Sequence, residues 1–193
     1  MRTNTDTGVE LATALRSTMG ILRTVTRGDL ARLTPCAAWD VQALVNHFIG
    51  TARWWAPMVS GDEAPGAPED FAAGDFVAAY EESIRIALEA FEAPGTLERT
   101  VQLPFGTFSG AAVAGFAATD QFVHGWDLAR ALGQDTDLVP DLAEALLSLA
   151  KVGAVDALRG PEDDPEALFG PAREAPADAC AADRLAAYFG RRV

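Results

Sequence analysis

The chain contains two histidines, His47 and His124, and the second follows Asp120 by four residues. On a helix, residues i and i+4 stack on one face a turn apart, so this pair can aim a carboxylate oxygen and an imidazole nitrogen at one point. His47 follows Leu44 by three residues and precedes Phe48, which puts it at the edge of an inward apolar stripe. Phe116, Ala117, Val123 and Leu128 border or flank the face that carries Asp120 and His124. Three inward donors from two helices would make a facial set of two nitrogens and one oxygen. Such a set suits Zn²⁺, Ni²⁺ or Fe²⁺ and leaves positions open for water or a ligand. Asp127, three residues past His124, is spaced to orient that imidazole from behind or to serve as an alternative oxygen ligand. The spacing alone leaves a plainer reading open, in which the histidines are hydrogen-bonded core residues and Asp120–His124 is an ion pair within one helix. It is weaker than a His-Glu-x-x-His signature.

The elements that must position these residues are helices. Leu11, Leu15, Thr18, Leu22 and Val25 step by four, three, four and three, which predicts a first helix ending near Gly28. Asp40 is placed to cap a second helix whose apolar face is Val41, Leu44, Val45, Phe48 and Ile49, running to about Val59. Asp75 is placed to cap a third with Phe76, Tyr80, Ser83, Ala87 and Phe91 on one stripe, stopped by Pro94-Gly95. Residues 100–108 are β-branched and aromatic around Pro104 and Gly106 and predict a short extended segment. Ser109 or Thr107 then precedes a fourth helix that ends at Gly133. Pro140 starts a fifth with Leu142, Leu146 and Leu149, and a short last helix is expected from about Asp178 to Phe189. Residues 60–74, with two prolines, three glycines and four acids, read as a long surface loop or lid, and 160–178 as a second loop. The expected architecture is all-α: a four-helix bundle with one or two extra C-terminal helices, in a single domain spanning 1–193.

Composition narrows the function. The chain has 193 residues, 49% of them hydrophobic, enough for a core without staples. A net charge of −13 disfavours nucleic acid and anionic membrane surfaces as partners. Two distant cysteines, Cys36 and Cys180, make no disulfide framework, and no signal peptide or membrane span is evident, so a cytoplasmic location is expected. Ten acids between 62 and 98 read as a solvated face. Arg130 is six residues past His124 and so about 240° around the helix from it, pointing to an ordinary ion pair. Trp39 and Trp126 could wall a pocket, although core burial is the default for both. Of the adjacent Trp54 and Trp55, at most one can face inward. Cys36 lies in a loop with no identifiable base beside it.

Two blocks carry a more specific signal. Thr34, Pro35, Cys36, Trp39, Leu44 and His47 form one; His124, Trp126, Asp127, Leu128, Ala129, Arg130, Ala131, Gly133 and Gln134 form the other. With residues 103–110 and 185–192, these resemble the mycothiol-dependent maleylpyruvate isomerase branch of the DinB-like superfamily, in particular its single-domain metal-binding proteins. The resemblance implies a four-helix bundle holding a divalent metal, Zn or Ni, at one end through His47, Asp120 and His124. Many superfamily members carry His at the position of Asp120 and the isomerase carries Glu; Asp is shorter than Glu by one methylene and must approach more closely or bind through water. The isomerase also has a second domain for which this chain has no room, so turnover of maleylpyruvate itself is not expected.

The implied activity is that of a metal-dependent thiol transferase or thiol-dependent isomerase, with mycothiol as co-substrate and a small electrophile as the partner substrate. An epoxide, an enone or a cis-alkene acid would fit. The rival readings are a non-catalytic module that binds a metal or small molecule, and a metal-dependent hydrolase using the same residues without a thiol. A monomer or a homodimer is compatible with the sequence.

Overall fold

The computed structural model describes residues 4–36, 39–63, 66, 69–161 and 169–193, with only the backbone described for Asn4, Thr5 and Ala154. Six α-helices run in chain order: α1 (Asn4–Leu22), α2 (Val41–Ser60), α3 (Phe76–Glu92), α4 (Gly110–Leu132), α5 (Pro140–Val152) and α6 (Ala181–Tyr188). α1 packs mainly on α4 and α2 on α3, and the α2–α4 and α1–α3 contacts close the four-helix ring. α5 and α6 pack on each other and against α4. The only strands among the described residues, β1 (Thr100–Leu103) and β2 (Gly106–Ser109), form an antiparallel hairpin with Val101 opposite Phe108.

The caps do what their residue types allow. Asp40 accepts from the Ala43 amide at 2.9 Å, Asp75 from Ala78 at 3.0 Å and Ser109 from Ala112 at 3.2 Å. Gly133 closes α4 in the left-handed region with φ 71°. The α1 stripe is buried through Val25, and every member of the expected α3 stripe is buried.

Three expectations are corrected. α1 stops at Leu22, not near Gly28, because threonine hydroxyls take over the backbone there. Thr24 donates to the Ile21 carbonyl at 2.8 Å, and the Thr26 amide and hydroxyl both donate to Asp29, at 3.0 and 2.7 Å. The last helix is shorter than expected, with the Cys180 sulfur accepting from the Asp183 amide at its start. The end of the 60–74 connection is no lid. Phe71 and Ala72 are buried. Asn46 accepts from the Ala72 amide at 2.8 Å and donates to Asp70 at 2.9 Å. Arg27 donates to the carbonyls of Ala72, Ala73 and Gly74. Residues 64, 65, 67 and 68 of that connection, and 162–168 of the second expected loop, lie outside the described residues.

One close approach sets the distance between α1 and α4. A Cβ at Gly125 would lie 2.3 Å from the Thr18 hydroxyl oxygen and 3.3 Å from the Thr18 Cα. That hydroxyl donates to the Gln121 carbonyl at 2.6 Å, so the two helices touch backbone to side chain beside His124.

Candidate metal centre

His47 on α2 and Asp120 and His124 on α4 converge. Asp120 Oδ1 lies 3.5 Å from His47 Nε2 and 3.5 Å from His124 Nε2. One ligand atom from each residue lies within 4.8 Å of the others. A tetrahedral ion with bonds of about 2.0–2.1 Å has ligand edges of roughly 3.4 Å, which the two 3.5 Å separations from Asp120 Oδ1 match. The other oxygen of Asp120 is occupied. Oδ2 accepts from the Thr51 hydroxyl at 2.9 Å and from the Gln121 amide at 3.1 Å. This leaves Oδ1 as the oxygen turned to both imidazoles.

Gln121 ties the carboxylate to the bundle. Its side-chain amide donates to the Phe48 carbonyl on α2 at 3.0 Å, and its side-chain oxygen accepts from the Tyr80 hydroxyl at 2.6 Å. Tyr80 is fully buried, and burial, with the Asp120 charge, pushes its hydroxyl well above the usual range.

Behind His124, Nδ1 lies 3.0 Å from Asp127 Oδ2. Asp127 is completely buried and takes a two-pronged bond from Arg191, Nε to Oδ1 at 3.1 Å and Nη2 to Oδ2 at 2.8 Å. The third arm of Arg191 donates to the Phe189 carbonyl at 2.9 Å. Both Asp127 oxygens are engaged by Arg191, and Oδ2 also by His124 Nδ1, which places this carboxylate where it can orient the imidazole. In front, the Trp39 indole stands over both imidazoles, with centroids 4.3 Å from His47 and 5.5 Å from His124.

The electrostatics of the cluster call for positive charge at its centre. Burial alone would raise the Asp120 carboxyl, but hydrogen bonds and charge from His124 and His47 outweigh it and hold the group far below the usual carboxylate range. Burial would lower His124, yet Asp120 and Asp127 outweigh it and raise the imidazole. Burial likewise opposes ionisation of Asp127, and the Arg191 charge with the His124 contact overcomes it. If a cation displaced the imidazole protons, two carboxylates against one guanidinium would leave one net negative charge to face it. A divalent cation fits that donor set and that charge.

The remaining sequence candidates fall elsewhere. Trp126 is core, its indole N–H donating to Asp183 at 2.8 Å. Arg130 is exposed on the far side of α4, its guanidinium 6.0 Å from the Trp126 ring centroid. Trp55 is buried and Trp54 only half so. Cys36 is in the turn that delivers Trp39, where its carbonyl accepts from the Trp39 amide, and its sulfur lies near enough to Arg191 to interact electrostatically. Three contributors were missed. Thr51 could have been found, being four residues past His47 and so on the same face of α2. Gln121 was not singled out, and Arg191, although inside the 185–192 block, had nothing to tie it to a partner 64 residues away.

Fold and site together define a DinB-like four-helix bundle with a His/Asp/His cluster between α2 and α4. The chain belongs to the family of the mycothiol maleylpyruvate isomerase N-terminal domain, whose model matches residues 11–129. Two proteins from two strains of Mycobacterium tuberculosis, both described as uncharacterized, are 35% identical over 177 residues, covering 90% of this chain and 91% of each relative. Among solved structures, the mycothiol-dependent maleylpyruvate isomerase superposes with a TM-score of 0.55 at 15% identity, over 66% of this chain. This chain spans 61% of that structure's length, and the likeness bears on fold alone. Among the described residues no helix is long and apolar enough to cross a membrane.

Proposed function

We propose that this protein binds one divalent metal through His47, Asp120 and His124 and transfers a low-molecular-weight thiol of the mycothiol type to a small electrophile in the cytoplasm. The observation that carries the reading is the convergence of Asp120 Oδ1 on both histidines at 3.5 Å, inside a family defined by a mycothiol-dependent isomerase. A bound divalent cation at that point would favour the thiolate over the thiol by stabilising its negative charge. The chain's own residues hold the parts in place. Thr51 and Gln121 fix the Asp120 carboxylate so that a single oxygen faces inward. Asp127 holds the Nδ1 side of His124 and leaves Nε2 for the centre. Trp39 covers one side of the imidazole pair. With an epoxide as electrophile, the carbon–sulfur bond would form as the ring carbon–oxygen bond breaks, and the proton given up by the thiol would end on the released oxygen.

The test is metal content by mass spectrometry on untagged protein beside His124→Ala, followed by thiol-adduct formation with a panel of epoxides, enones and cis-alkene acids. About one ion per chain, lost in the variant, with adducts formed only by the loaded wild type, is expected. A loaded protein that returns thiol and electrophile unchanged would reject the transferase and leave a binding module. Loaded protein that adds water in the absence of thiol would point to the hydrolase.

A further inference from the structure

We propose that Arg191 and Asp127 form a positioning relay for His124, so that the segment following α6 completes a centre whose ligands all lie within the family domain. The inference rests on the metal-binding reading above. The matched domain spans residues 11–129 and contains His47, Asp120, His124 and Asp127. Arg191 lies 64 residues beyond its partner, past the end of α6. Its side chain is 13% exposed and that of Asp127 is not exposed at all. The pairing is two-pronged, which fixes both the position and the plane of the carboxylate. The carboxylate then has one oxygen within 3.0 Å of His124 Nδ1. A carboxylate at that nitrogen keeps the proton on Nδ1, which makes Nε2 the lone-pair nitrogen that faces Asp120 Oδ1.

The backbone around Arg191 is anchored as well. The Arg191 amide donates to the Ala186 carbonyl at 3.0 Å, and Arg173 Nε donates to the Gly190 carbonyl at 2.7 Å. The guanidinium is thus held from its own side, and the arrangement runs unbroken from the C-terminal segment to the inward nitrogen of His124. Neither residue touches the centre directly; both act through the imidazole.

Removing either partner alone would leave a buried charge without its counter-ion and could unfold the chain. The informative variant removes both: Asp127→Leu with Arg191→Met, apolar groups of similar bulk. Zinc affinity would be measured on full-length, untagged protein by competition with a chromophoric chelator, with circular dichroism and melting as checks on folding. The folded double variant is expected to bind zinc about 10- to 100-fold more weakly than wild type. Arg191→Lys keeps the charge but loses the two-pronged geometry, and is expected to fall between wild type and the double variant. The second readout needs no metal: long-range ¹H–¹⁵N correlation on metal-free protein, at a pH where the ring is neutral. Wild type should show His124 protonated at Nδ1, and the double variant should lose that preference, a change that a purely structural ion pair would not produce. A folded double variant with wild-type zinc affinity and an unchanged His124 tautomer overturns the relay. Wild type that takes up no zinc overturns the metal reading instead, and the relay is then decided by the tautomer alone.

Discussion

Gly125→Ala is the sharpest test of how the bundle positions the centre. The added methyl would meet the Thr18 hydroxyl at 2.3 Å, the Thr18 Cβ at 3.2 Å and its Cα at 3.3 Å. The hydroxyl can rotate away, but only by giving up its 2.6 Å bond to the Gln121 carbonyl, a buried bond worth about 1 kcal/mol. The Cβ and Cα cannot rotate away, so α1 and α4 must separate by a few tenths of an ångström. Overpacking of this kind costs about 1–3 kcal/mol. Alanine returns about 1 kcal/mol of helix propensity. The net expectation is a loss of roughly 1–3 kcal/mol, combining those two figures with the hydrogen bond. For a chain of this size that lowers the melting temperature by about 2–4 °C per kcal/mol. Thermal and urea unfolding of Gly125→Ala, Thr18→Ala and the double variant form a cycle. The double variant loses the 2.3 Å contact and keeps those at 3.2 and 3.3 Å, so a favourable coupling of about 1 kcal/mol is expected. Because His124 is the preceding residue, zinc affinity should fall in step with stability. A Gly125→Ala protein that melts at or above wild type would show that propensity outweighs the clash, and the close α1–α4 approach would then not be what sets the His124 position.

Further outcomes follow from other residues. His47 contributes an inward nitrogen from a side chain that is 29% exposed, so His47→Ala should melt near wild type and lose more zinc affinity than the about 100-fold that bounds outer-shell changes; chelator competition measures it, and retained affinity would remove His47 from the ligand set. In metal-free protein the Asp127 carboxyl is held low, so its contribution is present above the unfolded value near 3.9 and is lost as pH falls towards the folded one. His124 is held high, so its contribution is present below about 6.5 and is lost as pH rises through the folded value. Melting in chelator should therefore peak between roughly pH 4 and 6.5, and His124→Gln should flatten the alkaline side of that curve; an unchanged alkaline limb would contradict the assigned partners. Val139, the residue before Pro140, has φ 36°, a conformation costing a β-branched residue about 1–2 kcal/mol. Val139→Asn should raise the melting temperature by a few degrees, and a drop would mean that Val139 packing outweighs the strain.

Much of the fold was legible because helices announce themselves through periodicity and caps. The α3 stripe from Phe76 to Phe91, the Asp40 and Asp75 caps and the Gly133 stop all stand where spacing put them. Boundaries failed where side chains compete with the helix ladder, as Thr24 and Thr26 do beyond Leu22. The 60–74 connection misled for another reason: composition records flexibility but not the Asn46 and Arg27 side chains that grip the loop from distant positions. The cluster was legible to the same degree. Asp120 and His124 share a helix face by arithmetic, whereas the arrival of His47 from α2 depends on tertiary packing and was carried by the motif blocks. Arg191 fell inside the 185–192 block, but its pairing was invisible, since nothing local links it to Asp127.

The short carboxylate at Asp120 raises the question of reach, and the neighbouring contacts answer it. An aspartate loses one methylene of length relative to glutamate, so its helix must come closer to the partner histidine for the oxygen to arrive. α4 does come close to α2: the Gln121 side chain bonds the Phe48 carbonyl at 3.0 Å, joining the two helices next to Asp120. Thr51, one turn beyond His47 on α2, bonds the outer oxygen of Asp120 at 2.9 Å and draws the carboxylate towards His47. The two constraints leave the inner oxygen equidistant from both imidazoles. A longer side chain there would have to fold back against Thr51 or push into the space between the rings. Asp120→Glu should accordingly weaken zinc binding despite keeping the charge, and pairing it with Thr51→Ser, which frees the volume of one methyl group, should recover part of the loss. Stronger zinc binding by the single Asp120→Glu variant would mean that reach, rather than the Thr51–Gln121 clamp, limits the centre.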